Sequence, residues 1–298
     1  MKRAIYKFLA KCGIFACIGL AGVIAAELYV RFCIPTPHDA KRISVSRFGA
    51  DTETLLLGHS HFYYGVVSDS LTHTLNMAIP MQNPEYDVRV LSHFVDSLPN
   101  LKRVLLSIGW FSFFDPPIEE SDAPGAETSY KIHEGIDKYG DFSLQNLELY
   151  YRSGFIRKLK RHPQLPSPKG FGPDYKEAAT SEALELDAPI AAARHHVMQL
   201  GYEDYNRYWT DSLVRLCKSR GWELVFVTTP LSAAYRRCMT TGEVEATKRI
   251  LGDYKRDYGI EWWDFSEDDR FEDSDFHDSD HLNSAGALKF TRILGGNN

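Results

Sequence analysis

Residues 74–108 read TLNMAIPMQNPEYDVRVLSHFVDSLPNLKRVLLSI, and this stretch decides the fold class. Thr74 to Ile79 has the character of a short strand. Pro84 suits the first turn of a helix, where its missing N–H is not needed, and Tyr86, Val90, Leu91, Phe94 and Leu98 follow at helical spacing. Val104 to Ile108 is a further apolar run directly after the helix. Strand, helix and strand with short joints make a βαβ unit, and such units build parallel sheets.

The alternation continues on both sides. Upstream, Thr54 to Leu57 reads as a buried strand ending at Gly58. Downstream, a helix over Tyr202 to Arg220 places Tyr205, Tyr208, Trp209, Leu213 and Leu216 on one face and stops at Gly221. A strand Glu223 to Thr228, a helix from about Glu243 to Tyr258, a strand near Ile260 to Trp263 and a helix from Asn283 or Ser284 to Leu294 complete the series. The expected fold is α/β, a three-layer α/β/α sandwich with a central parallel sheet of about five strands. Between Phe113 and about Leu200, Pro116, Pro117, Pro124, Pro163, Pro166, Pro168 and Pro173 break the regularity. This reads as an insertion, either a lid or binding segment or a surface elaboration, with Leu144 to Leu159 keeping helical spacing. Residues 295–298 read as a frayed tail.

The N-terminus has a different composition. Lys2, Arg3, Lys7 and Lys11 precede an uncharged run from Cys12 to Ala26. A bilayer-crossing helix needs about 20 mostly apolar residues, so the run spans by recruiting Phe8 to Ala10 and Leu28 to Val30. The cationic flank keeps the N-terminal end in the cytoplasm and sends everything after Arg31 across the membrane. A cleaved signal ending near Ala25 and Ala26, or a lipoprotein through Cys17, would also export the body, but Tyr29, Arg31 and Phe32 favour a retained anchor. The expected organisation is an anchor at 1–34, a polar, Pro-containing tether at 35–50, and a single α/β domain at 51–298 with the insertion at about 113–200. Cys217 and Cys238 are left for the exported compartment, as a disulfide or as two buried thiols. The chain has 298 residues, 44% hydrophobic content and a formal net charge of −6, enough for one full core. Its body reads as free of a basic stripe or Lys/Arg cluster, which argues against a nucleic-acid partner.

Two motifs carry chemistry. The first is Leu55-Leu56-Leu57-Gly58-His59-Ser60-His61, an apolar strand entering a small polar turn. A serine there stands at the open edge of a parallel sheet, as a nucleophile or as a helix N-cap. The second is Phe276-His277-Asp278-Ser279-Asp280-His281-Leu282-Asn283, just before the final helix. An Asp three residues before a His can hold imidazole Nδ1 and leave Nε2 free to take a proton from a serine. The competing readings are a solvated acidic loop that caps the helix, and a metal-dependent hydrolase using a His59, His61, Asp278 and His281 cluster. An α/β-hydrolase nucleophile elbow fits less well, because Phe62 replaces its second glycine.

Together, Gly58-His59-Ser60 and Asp278-Ser279-Asp280-His281 resemble the first and last sequence blocks of the SGNH (GDSL-like) hydrolase family. The stretch Asn76-Met77-Ala78-Ile79-Pro80-Met81-Gln82-Asn83-Pro84-Glu85-Tyr86-Asp87 and the region Leu98 to Phe114 are similar to a membrane-bound bacterial branch of that superfamily. The resemblance implies a flavodoxin-like topology with Ser60 as nucleophile, His281 as base and Asp278 as its orienter. It leaves His277 and Asp280 outside the triad. It implies oxyanion or substrate contacts from among Gly58, His59, His61, Asn76, Ala78, Gln82, Asn83, Gly109 and Trp110, with no cofactor and no metal. It further implies an acylated glycan or small ester substrate, a membrane acyltransferase as partner, and a single-pass protein whose catalytic domain lies outside the inner or plasma membrane of a bacterium. Tyr63, Tyr64, Trp110 and Phe111 are then either the wall of a sugar cleft or core residues. The departures are His59 in place of the family's Asp, Phe111 in place of the Asn that donates to the oxyanion, and Ala78 or Pro80 near the second donor. They predict an oxyanion hole completed by Gln82 or Asn83, or a slow or inactive site whose chain serves as a glycan-binding or assembly component.

Overall fold

Apolar runs that are buried on both faces favour strands of a parallel sheet, because each strand then sends alternate side chains into two cores. The computed structural model describes residues 2–121, 126–138, 140, 143–173, 175 and 177–296; Pro124, Asn297 and Asn298, named above, lie outside them. Its elements begin with α1 (Lys2–Cys33), α2 (Pro37–Phe48), β1 (Thr54–Leu57), α3 (Ser60–Gly65), β2 (Thr74–Asn76), α4 (Pro84–Phe94) and β3 (Arg103–Ser107). There follow α5 (Ala126–Ser129), which runs into a π turn, α6 (Arg152–Lys160), α7 (Ser181–His195) and α8 (Glu203–Arg220). The chain closes with β4 (Glu223–Thr228), α9 (Ala233–Cys238), α10 (Thr241–Tyr258), β5 (Glu261–Asp264) and α11 (Ser284–Leu294).

The protein is α/β with a five-stranded parallel sheet in the order β2-β1-β3-β4-β5. Leu55, Leu57, Val104, Leu106, Leu224 and Phe226 enter one apolar cluster with side chains of α4, α8 and α10. Leu56, Leu105, Val225 and Val227 enter the other with side chains of α3, α7, α9 and α11. The strand order reverses at β1 and β3. Ligands of open parallel sheets bind in the crevice at the carboxyl ends of the strands flanking such a reversal.

Helix α1 is long and apolar enough to cross a membrane once, and its apolar stretch is bare of protein contact. Its last turns are docked. Glu27 accepts hydrogen bonds from Glu148 N and Leu149 N at 3.0 Å each and pairs with Arg31 at 2.9 Å. Val30 and Ile34 pack on Phe155.

Several expectations need correction. The stretch read as a tether is α2, started by a Thr36–Asp39 capping box with Pro37 in the first turn. Its Lys41 is fully buried and donates to Asn76 O and Gly170 O at 2.6 Å each, while Asp39 meets His133 Nδ1 at 2.9 Å. The stretch read as an irregular insertion holds α5 and the 15-residue α7, while the helical spacing read over Leu144 to Leu159 is met in part by α6. Pro189 inside α7, and its mostly alanine inner face of Leu184, Ala188 and Ala191, hide the helical signal. Residues 152–161 hold Arg152, Arg157, Lys158, Lys160 and Arg161 and no acid, so the body does carry a basic cluster. Of the two readings left open for Cys217 and Cys238, the structure has free thiols, Cys217 buried in the core and Cys238 partly exposed.

Candidate active site

The turn after β1 is fixed by two hydrogen bonds and by a close approach to β3. Gly58 has a φ of +110°, a left-handed value that glycine tolerates, and a Cβ there would lie 2.7 Å from the Cβ of Ser107 on β3. Its N–H donates to Asp87 Oδ1 at 2.8 Å, and its carbonyl accepts from Ile79 N at 3.1 Å. Burial pushes Asp87 up to about 7, against the lowering effect of its hydrogen bonds from Gln82 and Gly58. Ser60 leaves this turn as the first residue of α3, and its N–H has no acceptor within the described chain.

The Asp-x-x-His turn faces it from the other end of the sequence. A bridge between Phe276 and Leu282 and the bond from His277 N to His281 O close the turn. Asp278 Oδ1 accepts from His281 N at 2.7 Å and lies 3.0 Å from His281 Nδ1, with Oδ2 at 3.1 Å. Across 221 residues of sequence, His281 Nε2 meets Ser60 Oγ at 2.8 Å. The structure thus brings Ser60, His281 and Asp278 into one hydrogen-bonded line.

A second carboxylate lies beneath that line. Asp280 is buried and faces His281 Nδ1 at 3.5 Å, His61 Nε2 at 3.5 Å and His195 Nδ1 at 3.8 Å. His195 also meets the Tyr235 hydroxyl at 2.7 Å. Burial alone would lower the pKa of His281, but the charge of Asp280 and the hydrogen bond to Asp278 outweigh it and push the imidazole up to about 9. Burial holds His59 well below its ordinary value, lowers His61 and takes His195 down to about 4, so all three are neutral at pH 7. Burial opposes the charge of Asp280, yet the neighbouring His281 and His61 keep it ionised, well below the usual carboxylate range.

Beside Ser60 opens a cleft of about 380 Å³, lined by His59, Met81, Asn83, Phe111, Ile118, Asp115, Arg194, His195 and their neighbours. Phe111 is stacked on His195 with ring centroids 4.0 Å apart. Burial pushes the Asp115 carboxyl up to about 7. Of the four aromatics, Tyr63 and Trp110 are core residues, Phe111 is a cleft wall, and Tyr64 stacks on Tyr175 at 4.5 Å with its ring 5.7 Å from that of His281. Tyr175 stacks in turn on His277 at 4.0 Å.

Most of the expected oxyanion donors are engaged elsewhere. Ala78 N donates to Asn76 Oδ1, Asn76 Nδ2 to Phe62 O, Gln82 Nε2 to Asp87, and Gly109 N to Ser112 Oγ. Trp110 is buried, its carbonyl accepting from Thr247 of α10 and its ring edge-on to Trp262. His59 Nε2 lies 3.3 Å from Ser112 Oγ, and His61 points at Asp280. Three of the expected residues keep a buried nitrogen without a hydrogen bond of good geometry: His61 at Nδ1, Trp110 at Nε1, and Asn83 at Nδ2, which lies beside Tyr205 while Asn83 Oδ1 caps α4. The expected metal cluster is also rearranged. Among the described residues the close groups are His61, Asp280 and His281, and Asp187, Asp278 and Asp280, with His59 in neither.

Sequence reading missed His195 and Arg194 at the end of α7, Asp187 within it, and Ser112 and Asp115 after β3. Asp187 Oδ2 accepts from Ser279 N and Oγ at 3.0 and 2.6 Å, which braces the Asp-x-x-His turn. The available signal was a helix of weak amphipathicity running toward two consecutive histidines, His195 and His196. Comparison with family models and with curated proteins finds no match to this chain.

Proposed function

We propose that the protein is a membrane-anchored serine esterase or O-acyltransferase of the SGNH kind, built on a three-layer α/β/α sandwich. Its substrates in this reading are acylated glycans or small esters at the outer face of a bacterial inner or plasma membrane, with a membrane acyltransferase as partner. The observation that carries the reading is the 2.8 Å contact of Ser60 Oγ with His281 Nε2, whose Nδ1 is held by Asp278.

In this mechanism Ser60 Oγ attacks the ester carbonyl as His281 Nε2 takes its proton, and Asp278 stabilises the imidazolium. The Ser60 N–H meets the oxyanion, and Asn83, which lines the cleft beside Ser60, is the second donor in this reading. Collapse releases the alcohol, which takes the proton from His281, and leaves an acyl-serine. Water then hydrolyses it, or a sugar hydroxyl accepts the acyl group. Cleft walls of Met81, Phe111 and Ile118 suit an acyl chain, while Arg194 and Asp115 offer polar contacts to the rest of the substrate.

A second reading is a glycan-binding or assembly component of an acyl-transfer system. It is favoured by the engagement of Ala78, Gln82 and Gly109 within the protein, which leaves few donors for an oxyanion. One experiment separates the two. The full chain in detergent is assayed on p-nitrophenyl acetate and on a panel of acylated glycans, beside Ser60→Ala. Turnover lost in the variant supports the enzyme. Glycan binding without serine-dependent turnover supports the assembly role.

A further inference from the structure

Helix α6 and the turn before it form a surface that the catalytic reading leaves unused. Arg152, Arg157, Lys160 and Arg161 are exposed there, and none of the four pairs with a carboxylate among the described residues. Such a concentration of cations stands out in a chain of formal net charge −6. Apolar side chains lie among them: Tyr150 is 52% exposed, Leu159 44% and Ile156 36%.

The position of this surface is set by α1. Phe155 of α6 packs on Val30 and Ile34, and Lys158 pairs with Glu148 at 2.6 Å, the residue whose N–H is held by Glu27. Residues of α1 before Ala26 are bare, and from Ala26 onward protein covers one face of the helix, at Ala26, Glu27, Val30 and Arg31, while Leu28, Tyr29 and Phe32 stay exposed on the other. A span uses about 20 residues of such a helix, so counted from Phe8 it ends between Glu27 and Val30, and Arg31 lies at headgroup level. Segment 150–161 is held at that same level.

We propose that α6 and its preceding turn rest on the bilayer that α1 crosses, with the four free cations on anionic lipid headgroups and Tyr150, Ile156 and Leu159 at the acyl boundary. Charge alone would suit any polyanion. The interleaved apolar side chains and the fixed level beside the span suit a lipid surface. Each Lys or Arg held at an anionic membrane strengthens the attraction by about fivefold, and salt weakens it.

The test is hydrogen exchange of the full chain reconstituted in phosphatidylcholine vesicles, with and without phosphatidylglycerol. Amides of 150–161 should exchange severalfold more slowly in the anionic vesicles. High salt and the variant Arg157→Glu/Lys160→Glu should remove that protection while exchange in the sheet stays unchanged. Equal exchange in both vesicles overturns the proposal, as does protection that survives charge reversal. Protection that arises in phosphatidylcholine vesicles on adding soluble heparin would assign the patch to a polyanion and overturn it as well.

Discussion

At the scale of single residues, the line from Ser60 to Asp278 makes sharp demands. Ser60→Ala should lower ester turnover by about 10⁴-fold or more, and Asp278→Asn by roughly 10³- to 10⁴-fold, with the fold intact by circular dichroism. The base must be neutral to accept a proton, and His281 is pushed up to about 9, so kcat/KM should climb with pH and level off above about 9. Asp280→Asn removes the charge that contributes most to that rise, so the rising limb should move to lower pH. A profile that stays in place would show that Asp280 does not tune His281. The three residues of the line were legible because each lies in a short motif with local geometry: a strand end for Ser60, and three-residue spacing for Asp278 and His281. His195, Asp187 and Ser112 were not, because only the folded chain brings them to the site.

At the scale of elements, the strands and the helices α4, α8, α10 and α11 could be read from periodicity, since each buries a wide apolar face. Helices α2 and α7 could not. The inward residues of α2 include His38, Lys41 and Ser44, and those of α7 are mostly alanine, so polarity and small side chains mask their burial. The turn between β1 and α3 is the element on which the site depends. Gly58→Ala meets both a left-handed φ and the Ser107 Cβ at 2.7 Å, and should cost roughly 2 kcal/mol or more, read as a lower denaturation midpoint. It should also displace Ser60 and reduce turnover in the fraction that still folds. At the foot of α1, Glu27→Leu leaves the Glu148 and Leu149 amides without their acceptor, at about 1–3 kcal/mol each. Faster exchange of those two amides is the expected readout, with the sheet unaffected.

At the scale of the whole molecule, the parallel α/β class and the span-length apolar helix at the N-terminus were legible in the sequence, whereas strand order came only from the structure, because periodicity does not say which strands are neighbours. The docking of α2 changes how the soluble part should be produced. A truncation beginning at Ala50 removes the Lys41 contacts to Asn76 and Gly170 and uncovers Val45's packing partners in the core, so it should aggregate or melt at lower temperature. One beginning at Pro35 keeps α2 and should melt cooperatively. The same docking also bears on reach. With α1 and α2 both docked on the domain, the proposed function would give Ser60 a set working height above the bilayer, from which it could not swing out to collect material. A polymer would have to be threaded past that level, or its acyl donor handed over there. The distance between membrane and nucleophile would then act as a ruler that decides which sites along the polymer are served.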